Sequence, residues 1–380
     1  MPSVDADIAV VGLGAMGACA LWRLAARGTD VIGFERFDPG HPWGSTHGST
    51  RLFRTACKEH PALVPLAQTS LGLWRKLEEA SARPLLDITG GLMIGAPDTP
   101  VVAGTLAAAA TYDLPVRTLA AAEVTDRFPQ HARLPDHHMA VWDPLSGVVR
   151  PEAGVRAAVS AAQEAGATVY PRTDVSGIDL VAGGVLIRTA ARDFRVRQAV
   201  VTTGPWLGKL VPELPLEPVR TPMTWFDARD DPASFELKRF PVFIRTLPDG
   251  TGIWGHGAVD GHPSKVGLSD DPSLPVIDPD QCDRAISPAD YRLLSEIVTA
   301  ALPGLHPHPV RTTTCMITRS PDGQFQVGRP HHDPRLVVGG GGSGHAFKHA
   351  TGIGELLARI ACDEAPFLEL DVVDPNRFLR

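Results

Sequence analysis

Three glycines and one acid near the start of the chain have the types and spacing that bind a dinucleotide. Gly12, Gly14 and Gly17 directly follow the apolar run Ile8–Val11, and Glu35 ends the next apolar run. Gly12 allows a tight turn, Gly14 lets a pyrophosphate approach the backbone, and Gly17 lets a helix pack closely on the strand. The helix N-terminus attracts phosphate, and Glu35 can accept hydrogen bonds from ribose hydroxyls. The pattern predicts a dinucleotide site without separating FAD from NAD.

A second glycine-rich turn lies near the other end of the chain. The apolar run Leu336–Val338 leads into Gly339–Gly344 and His345, and a helix is predicted over Ala350–Cys362. A strand, a glycine turn and a helix again give an N-terminus that favours negative charge. We therefore expect this turn to polarise an electron-rich group other than the pyrophosphate.

Two arginines lie in a long segment without periodicity, Phe37–His60. Arg51 and Arg54 are three residues apart and would share one face of a helical turn. Loops of this length inside a domain are usually functional or disordered. An anion-binding pair and two solvated surface arginines both remain open on the residues alone.

The surrounding pattern predicts the elements that position these residues. An α/β unit with a parallel strand–helix–strand start gives way to a second part rich in short strands, which indicates an antiparallel sheet. Strands are predicted at Ile8–Val11, Asp30–Glu35, Ile88–Gly95, Met139–Trp142, Thr168–Tyr170, Val175–Val181, Gly184–Thr189, Phe194–Val196, Ala199–Thr203, Glu217–Asp227, Val242–Arg245, Thr251–His256, Lys265–Leu268, Val310–Thr318 and Leu336–Val338. Helices are predicted at Ala18–Arg27, Pro61–Leu77, Thr99–Tyr112, Ala121–Phe128, Pro151–Ala165, Pro288–Leu302 and Ala350–Cys362.

Composition excludes several classes of function. A chain of 380 residues with 43% hydrophobic and 21% charged residues is expected to form two soluble domains. The net charge of −7 without a basic block argues against nucleic acid, and we expect no membrane span and no signal peptide. Five widely spaced cysteines predict no disulfide framework, and the histidine pairs predict no metal site. We expect a reducing, cytoplasmic setting.

Four stretches in order resemble one protein family. The chain is similar, over nearly its whole length, to the monomeric sarcosine oxidase and N-methyltryptophan oxidase group of flavoprotein amine oxidases. The four stretches are Gly12–Gly17 with Glu35, His47–Arg54, Thr314–Met316 and Ser343–Lys348.

The resemblance implies a Rossmann-like FAD-binding domain and a second, α+β substrate domain with a mostly antiparallel sheet. It implies FAD rather than NAD, carried as a thioether on Cys315, and a monomeric enzyme. The implied FAD-binding domain is discontinuous, at 1–85, 150–215 and 310–380, and the substrate domain comprises 86–149 and 216–309. The implied cofactor-binding residues are Gly12, Gly14, Gly17, Glu35, Arg36, Ser45, Thr50, Cys315, Gly342, Gly344 and Lys348.

The resemblance also implies a reaction: a carboxylate-bearing secondary or cyclic amine is oxidised to an imine, and O₂ is reduced to H₂O₂. Arg54 and Lys348 would pair with the substrate carboxylate, which suits forked and point-charge contacts. Arg51 and His345 would line the flavin face, and Lys265 would activate oxygen.

Three positions depart from the family pattern. Ile317 stands where a tyrosine is frequent. In the sarcosine enzymes a tyrosine lies near the position of Trp254 and a histidine near that of Ser269. These positions shape the pocket around the amine, so the amine itself is left open. Two other functions also stay open: a flavin dehydrogenase that passes electrons to another acceptor, and a dinucleotide-binding protein without catalysis.

Overall fold

The computed structural model describes residues 4–269 and 271–379. The strands in chain order are β1 (Ala6–Val11), β2 (Val31–Phe34), β3 (Arg51–Phe53), β4 (Leu86–Ile88), β5 (Gly91–Gly95), β6 (Arg117–Ala120), β7 (Met139–Asp143), β8 (Gly147–Val149), β9 (Thr168–Tyr170), β10 (Val175–Val181), β11 (Gly184–Thr189), β12 (Phe194–Val201), β13 (Glu217–Phe226), β14 (Val242–Thr246), β15 (Gly252–His256), β16 (Ser264–Ser269), β17 (Arg311–Arg319), β18 (Gln326–Gly328) and β19 (Leu336–Gly340). The α-helices are α1 (Ala15–Ala25), α2 (Val64–Ser81), α3 (Pro100–Tyr112), α4 (Ala121–Arg127), α5 (Pro151–Glu164), α6 (Leu207–Leu210), α7 (Pro288–Ala301) and α8 (Ala350–Ala361). Among the described residues, no helix combines the length and apolarity that a membrane crossing demands.

The first sheet is built on parallel strands in the order β19-β12-β1-β2-β9. The hairpin β10–β11 joins the other end of β12 in antiparallel pairing, and β18 adds to β19. Because both faces of such a sheet are covered, β1 is an almost continuous apolar run rather than an alternating one. Helices α1, α2, α5 and α8 contribute to one core with β1, which confirms the predicted Rossmann-like α/β part.

The second sheet runs in the order β17-β13-β16-β15-β14-β5-β7-β6. All its neighbouring pairs are antiparallel except β14 with β5, which confirms the mostly antiparallel sheet. A second core joins this sheet to α7, through residues such as Phe226, Phe243 and Val298.

Several local expectations were wrong. Phe37–His60 is not wholly irregular, because β3 pairs with β8 in a small sheet that also holds β4. The predicted strand Ile88–Gly95 is broken at Gly90, whose φ of +80° cannot continue a strand. The strands expected at Phe194–Val196 and from Ala199 are one strand, β12. Short strands β6, β8 and β18 carry too few residues to show a period.

The division into domains remains a prediction. Strand pairing adds one fact to it: β17 pairs along its whole length with β13 in the second sheet. The predicted boundary at residue 310 places β17, and Cys315 with it, in the FAD-binding domain. The next strands in the chain, β18 and β19, do lie in the first sheet.

Candidate active site

A cavity of about 870 Å³ lies between the two sheets. The first sheet contributes the turn after β1, and the second sheet contributes residues of β15, β16 and β17. The volume is in the upper part of the range for ligand and cofactor sites. The cavity therefore has room for a dinucleotide and a small substrate.

The glycine turn after β1 fits a dinucleotide. A Cβ on Gly17 would lie 1.9 Å from the carbonyl oxygen of Gly12, so α1 packs on this turn only without a side chain there. Gly12 has φ +86°, which a side chain would strain. A Cβ on Gly14 would instead meet only Thr46 Oγ1, at 3.7 Å, because Gly14 faces the cavity. Gly14 therefore leaves space for phosphate at the N-terminus of α1.

These two glycines give a first prediction. Gly17→Ala is expected to lower the free energy of unfolding by about 1–3 kcal/mol or more, because its methyl group overlaps the Gly12 carbonyl. Gly14→Ala should fold normally and lose FAD, because its methyl group occupies cavity space. Thermal unfolding and the ratio of flavin to protein absorbance measure the two effects. An unchanged melting temperature for Gly17→Ala would contradict this packing.

Glu35 and Arg36 line the cavity near the glycine turn after β1. Glu35 is 4% exposed, and its carboxylate accepts from the N–H groups of Leu13 and Phe37, both at 2.9 Å. The acid therefore ties β2 to the glycine turn while still facing the cavity. Arg36 donates to Asp280 at 2.7 Å, so the segment between β16 and α7 reaches this part of the cavity.

Arg51 and Cys315 meet inside the cavity. The guanidinium of Arg51 donates to the carbonyls of Thr50 at 2.9 Å and Ser45 at 3.1 Å, and it lies 3.6 Å from Cys315 Sγ. Of the five cysteines, Cys315 lines this cavity. Burial raises the pKa of the Cys57 thiol to about 12, and that of Cys19 likewise. At Cys315, by contrast, a guanidinium nitrogen of Arg51 lies 3.6 Å from the sulfur.

Arg54 and Lys348, predicted to bind a carboxylate, already share one. Arg54 donates to Glu59 at 2.5 Å, and Lys348 Nζ lies 3.7 Å from the other oxygen of Glu59. All three side chains are nearly buried and line the cavity. Lys348 also donates to the carbonyl of His345 at 3.0 Å. The two cations therefore converge on one carboxylate position.

The charges of this cluster depend on one another. Burial lowers the pKa of Lys348 to about 8, although Glu59 opposes this shift. Burial alone would raise the pKa of Glu59, but Arg54 and Lys348 hold it well below its usual value. At neutral pH the cluster thus has two cations and one anion, a net positive charge that attracts a second carboxylate.

The second glycine turn brings His345 to the cavity. Gly344 has φ +86°, which glycine adopts without strain. His345 Nε2 lies 3.0 Å from the carbonyl of Gly323, and burial lowers the pKa of the ring to about 4. His345 is therefore neutral at pH 7, and it donates through Nε2. Gly342 also lines the cavity, beside Ala346.

Lys265 and Thr50 lie behind the cavity wall. Lys265 is fully buried, and its Nζ donates to the carbonyls of Gly48 at 2.8 Å and Thr50 at 3.0 Å. Burial, followed by the charge of Arg51, lowers the pKa of Lys265 well below its usual value. The Thr50 hydroxyl lies 2.8 Å from His256 Nε2. Both residues support the wall that carries Arg51.

Trp254 and Ile317 form part of the apolar lining. The Trp254 indole N–H donates to the carbonyl of Leu268 at 3.0 Å, and the ring covers Gly267, where a Cβ would come within 2.8 Å of it. Ile317 Cδ1 would lie 3.7 Å from a Cβ on Gly344. Both predicted pocket positions therefore face the same space as the carboxylate cluster.

The structure brings most of the predicted site residues to one cavity. Those that line it are Gly12, Gly14, Glu35, Arg36, Ser45, Arg51, Arg54, Trp254, Cys315, Ile317, Gly342, Gly344, His345 and Lys348. Gly17, Thr50 and Lys265 lie behind them. Glu59 and Asp280 also line the cavity but are not among the predicted site residues. The only signal for Glu59 in the sequence is that an acid stands five residues after Arg54.

Comparisons with known proteins agree with this geometry. A family profile described as "FAD dependent oxidoreductase" matches residues 7–360. The chain is 32% identical over 374 residues to the monomeric sarcosine oxidase of Streptomyces avermitilis, covering 98% of this chain and 97% of that protein. It is 30% identical to the N-methyl-L-tryptophan oxidase of Citrobacter koseri, covering 98% and 99% respectively.

Solved structures show the same fold. An open form of NikD, described as an unusual amino acid oxidase essential for nikkomycin biosynthesis, matches with a TM-score of 0.84 at 24% identity, over 98% of both chains. The predicted resemblance is thus confirmed by sequence over nearly the full length. The chain belongs to the FAD-dependent oxidoreductase family.

Proposed function

We propose that this protein oxidises the C–N bond of a carboxylate-bearing secondary or cyclic amine to an imine, with O₂ reduced to H₂O₂. The observation that carries the proposal is the convergence of Arg54 and Lys348 on one carboxylate position inside the cavity that holds the glycine turn. The names of the sarcosine and N-methyltryptophan oxidase relatives support the amine chemistry.

FAD supplies the redox chemistry: it takes two electrons from the amine and passes them to O₂. We assign its phosphates to the turn at Gly12–Gly17 and its ribose to Glu35. Cys315 is the proposed site of covalent attachment, because it is the cysteine that lines the cavity and Arg51 lies beside its sulfur. The turn at Gly342–Gly344 would hold the ring system of the cofactor, and its position before the helix would favour negative charge there.

The side chains around the substrate bind and orient it. Arg54 and Lys348 hold the carboxylate, which fixes the amine relative to the cavity wall. Neutral His345 and the apolar walls at Trp254 and Ile317 lie around the rest of the molecule. An amine that binds unprotonated needs no base from the protein. Lys265 places a positive charge near the region where O₂ gains negative charge.

We also propose that the protein is a monomer and that it is located in the cytoplasm. The name of the relative from Streptomyces avermitilis, monomeric sarcosine oxidase, supports the first part of this proposal. None of the five cysteines forms a disulfide, which is compatible with a reducing compartment. We propose the domain division given by the sequence, with β17 joined to the substrate part by its pairing.

The second prediction tests the function with a panel of amines. N-methyl and cyclic amino acids are expected to release H₂O₂, and their decarboxylated analogues are expected to be poor substrates. Losing a charge-assisted contact with a buried partner costs about 1.5–3 kcal/mol, or roughly ten- to hundredfold in kcat/KM. A coupled peroxidase assay measures the rates. Equal turnover of an amino acid and its decarboxylated analogue would reject the proposed carboxylate site.

Variants of the two cations sharpen this test. Arg54→Gln and Lys348→Gln should each lower kcat/KM for the amino acid by a similar factor and leave the slow rate with the analogue almost unchanged. The ratio of the two substrates is the informative quantity, because general damage to the enzyme lowers both rates equally. A ratio that stays constant in both variants would show that neither cation binds the carboxylate.

A further inference from the structure

Lys265 belongs to a row of residues that crosses four strands. Arg311 on β17 lies opposite Trp225 on β13, Trp225 opposite Lys265 on β16, and Lys265 opposite His256 on β15. The Trp225 ring is fully buried between the two cations, with Lys265 Nζ at 4.8 Å and the Arg311 guanidinium at 4.4 Å from its centroid. Each contact has the geometry of a cation–π interaction, which favours the charged form of Lys265.

The ammonium of Lys265 ends on a strained turn. The N–H of Thr50 donates to the carbonyl of Gly48 at 2.8 Å, which closes a three-residue turn, and Ser49 at its centre has φ +68°. Lys265 binds the two carbonyls of this turn, those of Gly48 and Thr50. Strain of this kind persists only where the surroundings over-determine the conformation. Any group that fixes this turn therefore also fixes the position of the Lys265 ammonium.

Glu152 holds the other side of the same turn. Its carboxylate accepts from the N–H of Gly48 at 2.7 Å and from that of Ser49 at 3.1 Å, although Glu152 lies about a hundred residues away, in the first turn of α5. The turn is thus bound on its N–H side by an acid and on its carbonyl side by Lys265. A third contact is the His256 ring, which lies 2.8 Å from the Thr50 hydroxyl.

Charge adds to this geometry. Burial is the main influence that lowers the pKa of Lys265, and Arg51 and Arg311 lower it further, whereas Cys315 and Glu152 raise it. Burial also lowers the pKa of His256 to about 3, so this ring adds no positive charge next to Lys265 at neutral pH. The charged and titratable groups that face Lys265 are therefore Arg51 on β3, His256 on β15, Cys315 and Arg311 on β17, Glu152 on α5 and His47 before the turn.

We propose that Glu152 is a positioning residue for Lys265: it fixes the Gly48–Thr50 turn that binds the Lys265 ammonium, and its negative charge stabilises that ammonium from the opposite side of the turn. The inference rests on the proposed role of Lys265 toward O₂. A purely structural role would also explain an acid at this position, because an acid in the first turn of a helix stabilises the helix. The two explanations differ in what happens when Lys265 is removed.

A double-mutant cycle separates them without any turnover. Glu152→Gln keeps an oxygen that accepts from Gly48 and Ser49 but loses the charge. If this charge stabilises the ammonium, Glu152→Gln lowers the melting temperature in the wild type and lowers it less in a Lys265→Met background. Glu78→Gln is the matched control, since Glu78 also accepts from two successive N–H groups, those of Leu85 and Leu86, on another helix. The change in melting temperature caused by Glu78→Gln should be the same in the wild type and in the Lys265→Met background.

The reaction with oxygen gives a second readout. The flavin is reduced with dithionite, so no amine is needed, and is then mixed with O₂ over a range of pH. The rate should fall as pH rises through the pKa of Lys265, because only the ammonium is charged. Glu152→Gln lowers that pKa, so the fall moves to lower pH by about half a unit or more. Glu152→Asp keeps the charge and should keep the wild-type profile, as should Glu78→Gln.

The outcomes are distinct. Non-additive melting shifts together with a displaced pH profile support the inference. Additive shifts, or an unmoved profile in a Glu152→Gln enzyme, overturn the role of Glu152 while leaving slow reoxidation of Lys265→Met intact. Normal reoxidation of Lys265→Met would instead overturn the proposed role of the lysine, and this inference with it. If Glu152→Gln folds only in the Lys265→Met background, that rescue is itself the non-additive result and supports the inference. If it folds in neither background, the carboxylate is needed for the fold without Lys265, and the inference is overturned.

Discussion

Acid precipitation of the Cys315→Ser variant is expected to give a colourless protein pellet and a yellow supernatant, whereas the wild-type pellet stays yellow. Cys315 lines the cavity, is 4% exposed and lies 3.6 Å from a guanidinium nitrogen of Arg51. A thioether needs a sulfur nucleophile within reach of the cofactor, and Cys315 provides one in the cavity. The hydroxyl of serine has no comparable nucleophilicity at neutral pH, so the variant should bind FAD without a covalent bond.

Mass spectrometry of the denatured chains measures the same difference. The wild-type mass should exceed that of the polypeptide by one FAD, and the mass of Cys315→Ser should not. Cys282→Ser is the matched control, because Cys282 is also a free thiol but lies outside the cavity. A Cys315→Ser chain that still carries FAD after denaturation would assign the attachment to another residue.

The parts of the site that the sequence predicted are those formed by neighbouring residues. Gly12, Gly14 and Gly17 lie on one turn, and the spacing of the three glycines shows in the sequence. The strand before them and the helix after them have periods that show in the sequence. The same holds for the second glycine turn, although β19 extends through Gly340 and only Gly341–Gly344 lies between β19 and α8.

The parts that the sequence could not predict depend on distant contacts. Glu59 follows Arg54 closely, but its partner Lys348 comes from the far end of the chain, so no local pattern shows the shared carboxylate. β3 forms because Arg51–Phe53 pairs with Gly147–Val149, and three residues are too few for a period. Cys315 was assigned to the first part of the fold, and only pairing of β17 with β13 places it at the edge of the second sheet.

Replacing Lys265 by methionine is expected to lower the rate of flavin reoxidation by O₂ more than any of the other substitutions. Lys265→Met should slow the reaction of the reduced enzyme with O₂ by about a hundredfold or more, since a fixed charge in a dry site is worth several kcal/mol to a developing anion. Anaerobic reduction by the amine should change little, because Lys265 lies behind the wall and contacts carbonyls there. Stopped-flow absorbance separates the two half-reactions.

Lys238→Met is the control, because Lys238 is an exposed lysine outside the cavity and should tolerate the same substitution in both half-reactions. Methionine matches the length of the lysine stem, so packing against Trp225 is largely kept while the two carbonyls of the Gly48–Thr50 turn lose their donor. Any damage to the turn would also displace Arg51 and would appear as slower reduction. Slow reoxidation with normal reduction therefore isolates the charge. Equal reoxidation of Lys265→Met and wild type would reject Lys265 as the oxygen site, and slow reoxidation of the wild type itself would favour a dehydrogenase that passes its electrons to another acceptor.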